Sequence, residues 1–119
     1  FGFLGHANNL LKASGVSAVI RINELPIYES VREFGDTEDC ETRLFAENTI
    51  FVRQSIEWNC PRNIFMNNLL YDAQVSGGLL VSLPKSDAEK YVDRLFDKGV
   101  FAKVVGEVID VKGGLIRLV

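Results

Sequence analysis

Tyr71-Asp72-Ala73-Gln74-Val75-Ser76-Gly77-Gly78-Leu79-Leu80-Val81-Ser82-Leu83 is a polar, glycine-containing loop that runs into an apolar segment. The order decides the fold class. Glycine loops that cradle phosphates in dinucleotide-binding and Walker folds follow a strand and open a helix, whereas these glycines lead into a strand predicted over 79–83. No Gly-Lys-Ser/Thr follows either glycine pair. Residue types alone therefore favour a close-packing site or bulge at Gly77 and Gly78 over a ligand site. Asp72, Gln74 and Ser76 hold alternate positions, which in an extended loop point to one side. They either line a site or bond back to the loop's own backbone, as Asx and Ser side chains often do.

Working outward, Asn59 to Pro61 predicts the start of a helix running to about Leu70, with Ile64, Phe65 and Leu69 at helical spacing. Downstream, Ser86-Asp87-Ala88-Glu89 reads as a capping box. Ala88, Tyr91, Val92, Leu95 and Phe96 then form an apolar stripe that ends at Gly99. Residues 101–111 and 115–119 are rich in Val and Ile, with Lys112-Gly113-Gly114 as the turn of a predicted antiparallel hairpin. Toward the N-terminus, 43–48 reads as a helical turn, and Ile50, Val52 and Ile56 as one face of an edge strand interrupted by Gln54. Residues 36–41 are acidic and read as an exposed loop without an ordered metal-ligand pattern. Pro26 opens a short amphipathic segment, 27–34, closed by Gly35, and 16–22 alternates with the period of a strand. The first helix is predicted over 3–14, with Leu4, Ala7 and Leu11 on one face and Gly15 as its C-cap. Its other face carries His6, Asn8 and Asn9 instead of the Lys and Glu of a solvated helix, so it either packs against something beyond the chain or belongs to a mostly buried first helix. Helices and mainly antiparallel strands mixed in this way make an α+β domain.

The 119 residues fall within the range of one domain. Apolar content of 47% and charged content of 24% are those of a folding globular chain, and exclude a disordered or fibrous one. The longest apolar runs are a few residues, such as 79–81, far from the roughly 20 that span a bilayer. Thirteen Lys and Arg against 16 Asp and Glu give a net charge of −3, which leaves no excess of positive charge to gather phosphates. Neither a membrane nor nucleic acid is an expected partner. His6 is the single histidine, so a Ser-His-Asp or Cys-His triad must pass through it, and nothing near it resembles a nucleophile elbow. His6, Cys40 and Cys60 form no short-range metal-ligand motif. The two cysteines read as reduced thiols of a cytoplasmic protein. The alternative, one Cys40–Cys60 disulfide, runs against the four or more cysteines usual in small secreted domains. With Phe1 first and Met66 as the only methionine, the chain is expected to be a piece of a longer protein.

Two glycine-marked segments carry a family resemblance. Phe1-Gly2-Phe3-Leu4-Gly5-His6 resembles the Phe-Gly-Leu-Leu-Gly-His segment of selenophosphate synthetases (selenide, water dikinases), and Asp72-Ala73-Gln74-Val75-Ser76-Gly77-Gly78-Leu79-Leu80 their Asp-Pro-Gln-Thr-Ser-Gly-Gly-Leu-Leu. Val105-Gly106-Glu107-Val108 matches their Ile-Gly-Glu-Val, so the likeness covers nearly the whole chain. Ala73 and Val75 depart from the family Pro and Thr, which makes the loop less rigid and one hydroxyl poorer.

The resemblance implies a three-layer α/β/α domain with a mainly antiparallel mixed sheet, as in the C-terminal domain of aminoimidazole ribonucleotide synthetase. It implies the C-terminal domain of a two-domain, homodimeric enzyme that makes selenophosphate from selenide, ATP and water, releasing AMP and phosphate. ATP and magnesium would belong to the N-terminal domain, which is expected to precede this chain and to hold the reactive Cys or selenocysteine, its Lys and the metal-binding Asp residues. No catalytic or metal-binding residue is then expected here, and the chain alone is expected to be inactive. Gly2, Gly5, His6, Asp72, Gln74, Ser76, Gly77 and Gly78 are expected to face the other domain or the active site. The competing classes are a non-catalytic binding module and another superfamily member, a thiamine-monophosphate kinase or a hydrogenase maturation factor. Neither of those two families is expected to carry Asp-x-Gln-x-Ser-Gly-Gly-Leu-Leu.

Overall fold

The computed structural model describes residues 1–34 and 43–119. The elements are α1 (Gly2–Ser14), β1 (Ser17–Ile20), α2 (Glu29–Phe34), α3 (Arg43–Val52), β2 (Ile56–Trp58), α4 (Ile64–Tyr71), α5 (Lys85–Phe96), β3 (Gly106–Ile109) and β4 (Ile116–Leu118). The acidic loop 36–41, Gly35 and Cys40 lie outside the described residues. Cys60 is a free, half-buried thiol.

Leu4, Ala7 and Leu11 put one face of α1 into the core, as their spacing predicts. Gly15 ends the helix in the left-handed region, at φ 69°. Its N–H donates to the Lys12 carbonyl, while the Val16 N–H donates to the Leu11 carbonyl at 3.1 Å. This pair of bonds is the Schellman motif, which satisfies the last carbonyls of the helix and turns the chain into β1. Asn8 corrects the expected outer face. It is fully buried and its Nδ2 donates to the Gly114 carbonyl at 2.9 Å, so α1 is pinned to the turn before β4.

The sheet has four strands in the order β2-β4-β1-β3. β1 pairs antiparallel with β3 and parallel with β4, and β2 pairs parallel with β4. The architecture is α+β with a mixed sheet, as expected, although two of its three ladders are parallel. The predicted hairpin between the last two strands does not form, because β1 lies between them. The alternation of Ile116 and Leu118, both wholly buried, suits an inner strand flanked on both sides, here by β1 and β2.

Three other local expectations are revised. The run containing Ile50 and Val52 continues α3 and is not a strand. Residues two apart on a helix point to different sides, so Val52 is buried while Ile50 is exposed. The helix after Pro61 starts later, at Ile64, where the Asn63 side chain accepts from the Met66 N–H at 2.8 Å. α5 begins one residue before Ser86, with Pro84 at the N-cap, so the Ser86 hydroxyl meets Asp87 and no capping box forms. The predicted strand over 79–83 does not form: the segment belongs to no helix or strand, and α5 buries none of its residues fully.

Candidate functional site

The two glycine-marked segments, some 70 positions apart, meet in space. Gly2 opens α1 at φ 65°, and a Cβ placed on it would lie 2.7 Å from the Asp72 carbonyl oxygen and 2.8 Å from that of Tyr71. A side chain there would collide with backbone while holding a conformation that glycine tolerates best. The start of α1 is thus set directly on the end of α4. Asn48 on α3 completes the junction: buried, it donates from Nδ2 to the Tyr71 carbonyl at 2.8 Å. The Tyr71 ring packs edge-on to Phe45 with centroids 5.8 Å apart. Three helices therefore converge where residues 72–78 depart.

Phe1 and Phe51 form the rim, their rings 5.2 Å apart, with His6 edge-on to Phe1 at 6.0 Å. Phe1 and Phe51 are about half exposed or more, at 60% and 47%. Gly5 is buried beneath them, where a Cβ would press on the Phe1 Cβ and reach the Phe51 ring at 4.0 Å. Small residues at 2 and 5 thus let the aromatic rim sit close to α1.

Asp72 is the C-cap of α4, half-buried, its N–H donating to the Asn68 carbonyl. Gln74 does not point outward into a site: its Nε2 donates back to the Leu69 carbonyl at 3.0 Å. Of the two readings left open for these alternate polar residues, bonding to neighbouring backbone is the one Gln74 adopts. Ser76 takes a left-handed φ of 58°, and Ser76, Gly77 and Gly78 are exposed. A Cβ on Gly78 would meet nothing within 4 Å, and one on Gly77 only the Gln74 side chain, so neither glycine is a close-packing site within the chain. Gly2, Gly5, His6 and Asp72 are gathered at the junction. Gln74 to Gly78 extend from it as an exposed arm.

Asn48, Tyr71 and Phe51 belong to this site and were missed from sequence. Reading 43–52 as one helix would have found two of them: Asn48 and Val52 are four apart, on one face, with Phe51 at i+3 beside them. Among the described residues there is no group of three or more His, Cys, Asp or Glu able to hold a metal ion. No helix among them is long and apolar enough to cross a membrane.

Residues 1–118 match the model of the AIR synthase related protein C-terminal domain. This chain belongs to the AIR-synthase-related C-terminal domain family. Within that family, the domain is similar to the "Selenide, water dikinase 2" of Peptoclostridium acidaminophilum, at 34% identity over 92% of this chain and 31% of the relative. It is 33% identical to the selenide, water dikinase of Clostridioides difficile (strain 630) over the same shares. The enzyme of that name from Treponema denticola is 35% identical over 80% of this chain and 26% of its own length. The AIR-synthase-related domain thus spans about a third of the curated relatives it matches.

Proposed function

We propose that this chain is the C-terminal domain of a cytoplasmic enzyme that makes selenophosphate from selenide, ATP and water, releasing AMP and phosphate. In this reading it packs against the ATP-binding domain through the first turns of α1 and residues 72–78. One observation carries the reading: Gly2 seated on the Asp72 carbonyl joins the two segments most like those enzymes into a single surface. The surface has what a domain interface needs, an exposed aromatic rim at Phe1 and Phe51 and a glycine arm whose backbone is bare of side chains.

Phosphoryl transfer depends on positioning and electrostatic stabilisation of a dispersed charge. In this reading the chain contributes positioning and water exclusion, and ATP and magnesium are held by the other domain. His6 and the 76–78 backbone are the groups on this face free to approach a neighbouring domain.

Hydrogen exchange of the chain, with and without the ATP-binding domain of a selenide, water dikinase added in trans, tests the interface. Slower exchange at residues 2–9 and 72–78 is expected, and unchanged exchange there overturns it. A non-catalytic module docking elsewhere would protect other residues. The pure chain should form no AMP from ATP and selenide, and selenide-dependent AMP would refute the division of labour.

A further inference from the structure

We propose that residues 73–78 form a strap that is open in this chain and closes over the phosphates of a nucleotide held by the ATP-binding domain. The proposal rests on the interface proposed above and adds to it a movement and the ligand that drives it. The base of the strap is fixed. The Asp72 N–H donates to the Asn68 carbonyl at 2.9 Å, Gly2 is seated against the Asp72 carbonyl, and Asn48 holds the Tyr71 carbonyl. Beyond that base, a single bond among the described residues holds the strap back, from Gln74 Nε2 to the Leu69 carbonyl. That bond is exposed, so water competes for both of its partners.

The open position is unfavourable in three ways. Ser76, at φ 58°, is the one non-glycine residue among those described with a positive φ, a conformation that strains an L side chain. Val75 is 93% exposed. The N–H groups of residues 75–78 have no acceptor among the described residues, and a Cβ on Gly78 would meet nothing within 4 Å. A closed position answers all three together: the chain turns at Ser76 into the ordinary negative-φ region, Val75 is covered by the other domain, and the N–H groups meet an acceptor.

The acceptor that suits them is an anion. Neither Gly77 nor Gly78 is needed for packing within the chain, and two successive glycines let backbone come close to a ligand. Residues 73–84 carry no charge, so no carboxylate on the strap repels a phosphate. Successive backbone N–H groups bare of side chains are a recurrent cradle for phosphate oxygens. The five residues 74–78 span at most about 17 Å when extended, enough to reach across a domain contact. Since the closed position gains these hydrogen bonds only with the acceptor present, nucleotide shifts the strap toward it.

Hydrogen exchange of the 119-residue chain mixed with the ATP-binding domain of a selenide, water dikinase, with and without a non-hydrolysable ATP analogue and magnesium, is the test. The domain alone should slow residues 2–9 and slow 73–78 only in part. The analogue should then slow 73–78 at least about tenfold further and leave 2–9 unchanged. Ser76→Gly relieves the strain of the open position, so about fivefold more analogue should be needed for half-protection, the factor equivalent to about 1 kcal/mol. If the domain alone slows 73–78 to the full extent, they are a fixed part of the interface and the strap is overturned. It is overturned too if the analogue leaves 73–78 fast, or if Ser76→Gly responds at the wild-type concentration. Unchanged exchange at 2–9 in both mixtures overturns instead the interface on which the strap depends.

Discussion

Gly2 and Asp72 are in backbone contact: the Asp72 carbonyl oxygen occupies, within 2.7 Å, the space a Cβ on Gly2 would need. The contact joins α1 to α4 and holds φ 65° at residue 2. Gly2→Ala therefore combines left-handed strain of about 1–2 kcal/mol with displacement of the α4 end, and a loss of roughly 2–4 kcal/mol is expected. Urea unfolding measures it. A loss under about 0.5 kcal/mol, the scale of an ordinary surface substitution, would mean the contact is not tight.

Asn48 holds the same junction from the other side, through its bond to the Tyr71 carbonyl. Asn48→Ala deprives a buried carbonyl of its partner, at a cost of about 1–3 kcal/mol. Asn48→Asp should cost more, since it sets a carboxylate against that carbonyl and removes the donor. Equal stability of the Ala and Asp variants would show that the amide donates elsewhere.

These two residues mark the boundary of what could be read from sequence. α1 was legible down to its Gly15 cap because helix periodicity and capping are local. The mixed sheet was not legible in its pairing: the 112–114 turn looks like a hairpin, but the choice of neighbour is made by β1, nearly 100 positions away. The apolar run Ile50-Phe51-Val52 is equally compatible with strand or helix when so short, and misreading it hid Asn48. At the site, Gly77 and Gly78 stood out from residue types, and Gly2 from the family resemblance of residues 1–6. That Gly2 would meet Asp72, while Gly77 and Gly78 would meet almost nothing in the chain, depends on helix packing that no local pattern records.

Asn8 ties α1 to the turn before β4 by donating to the Gly114 carbonyl. Its Oδ1 is buried without a hydrogen-bond partner among the described residues. Asn8→Ala should cost about 1–3 kcal/mol. Asn8→Asp places a charge in a fully buried position beside a carbonyl, and a loss of about 3–5 kcal/mol, or failure to fold at neutral pH, is expected. An Asp variant as stable as the Ala variant would contradict this placement.

The two helix starts give opposite expectations from similar-looking residues. Asn63 accepts the Met66 N–H at 2.8 Å, so Asn63→Ala leaves one of the orphan donors of α4 uncapped and should cost about 1 kcal/mol, within a range of about 0.5–2. Ser86 heads a capping-box sequence but lies one residue inside α5, where its hydroxyl meets the Asp87 carboxylate and caps nothing. Ser86→Ala should therefore change stability by less than about 0.5 kcal/mol, and improve it slightly if anything, because Ala is the better helix former. Thermal unfolding of both variants separates the cases. If Ser86→Ala costs as much as Asn63→Ala, then Ser86 is the true cap and α5 begins after it.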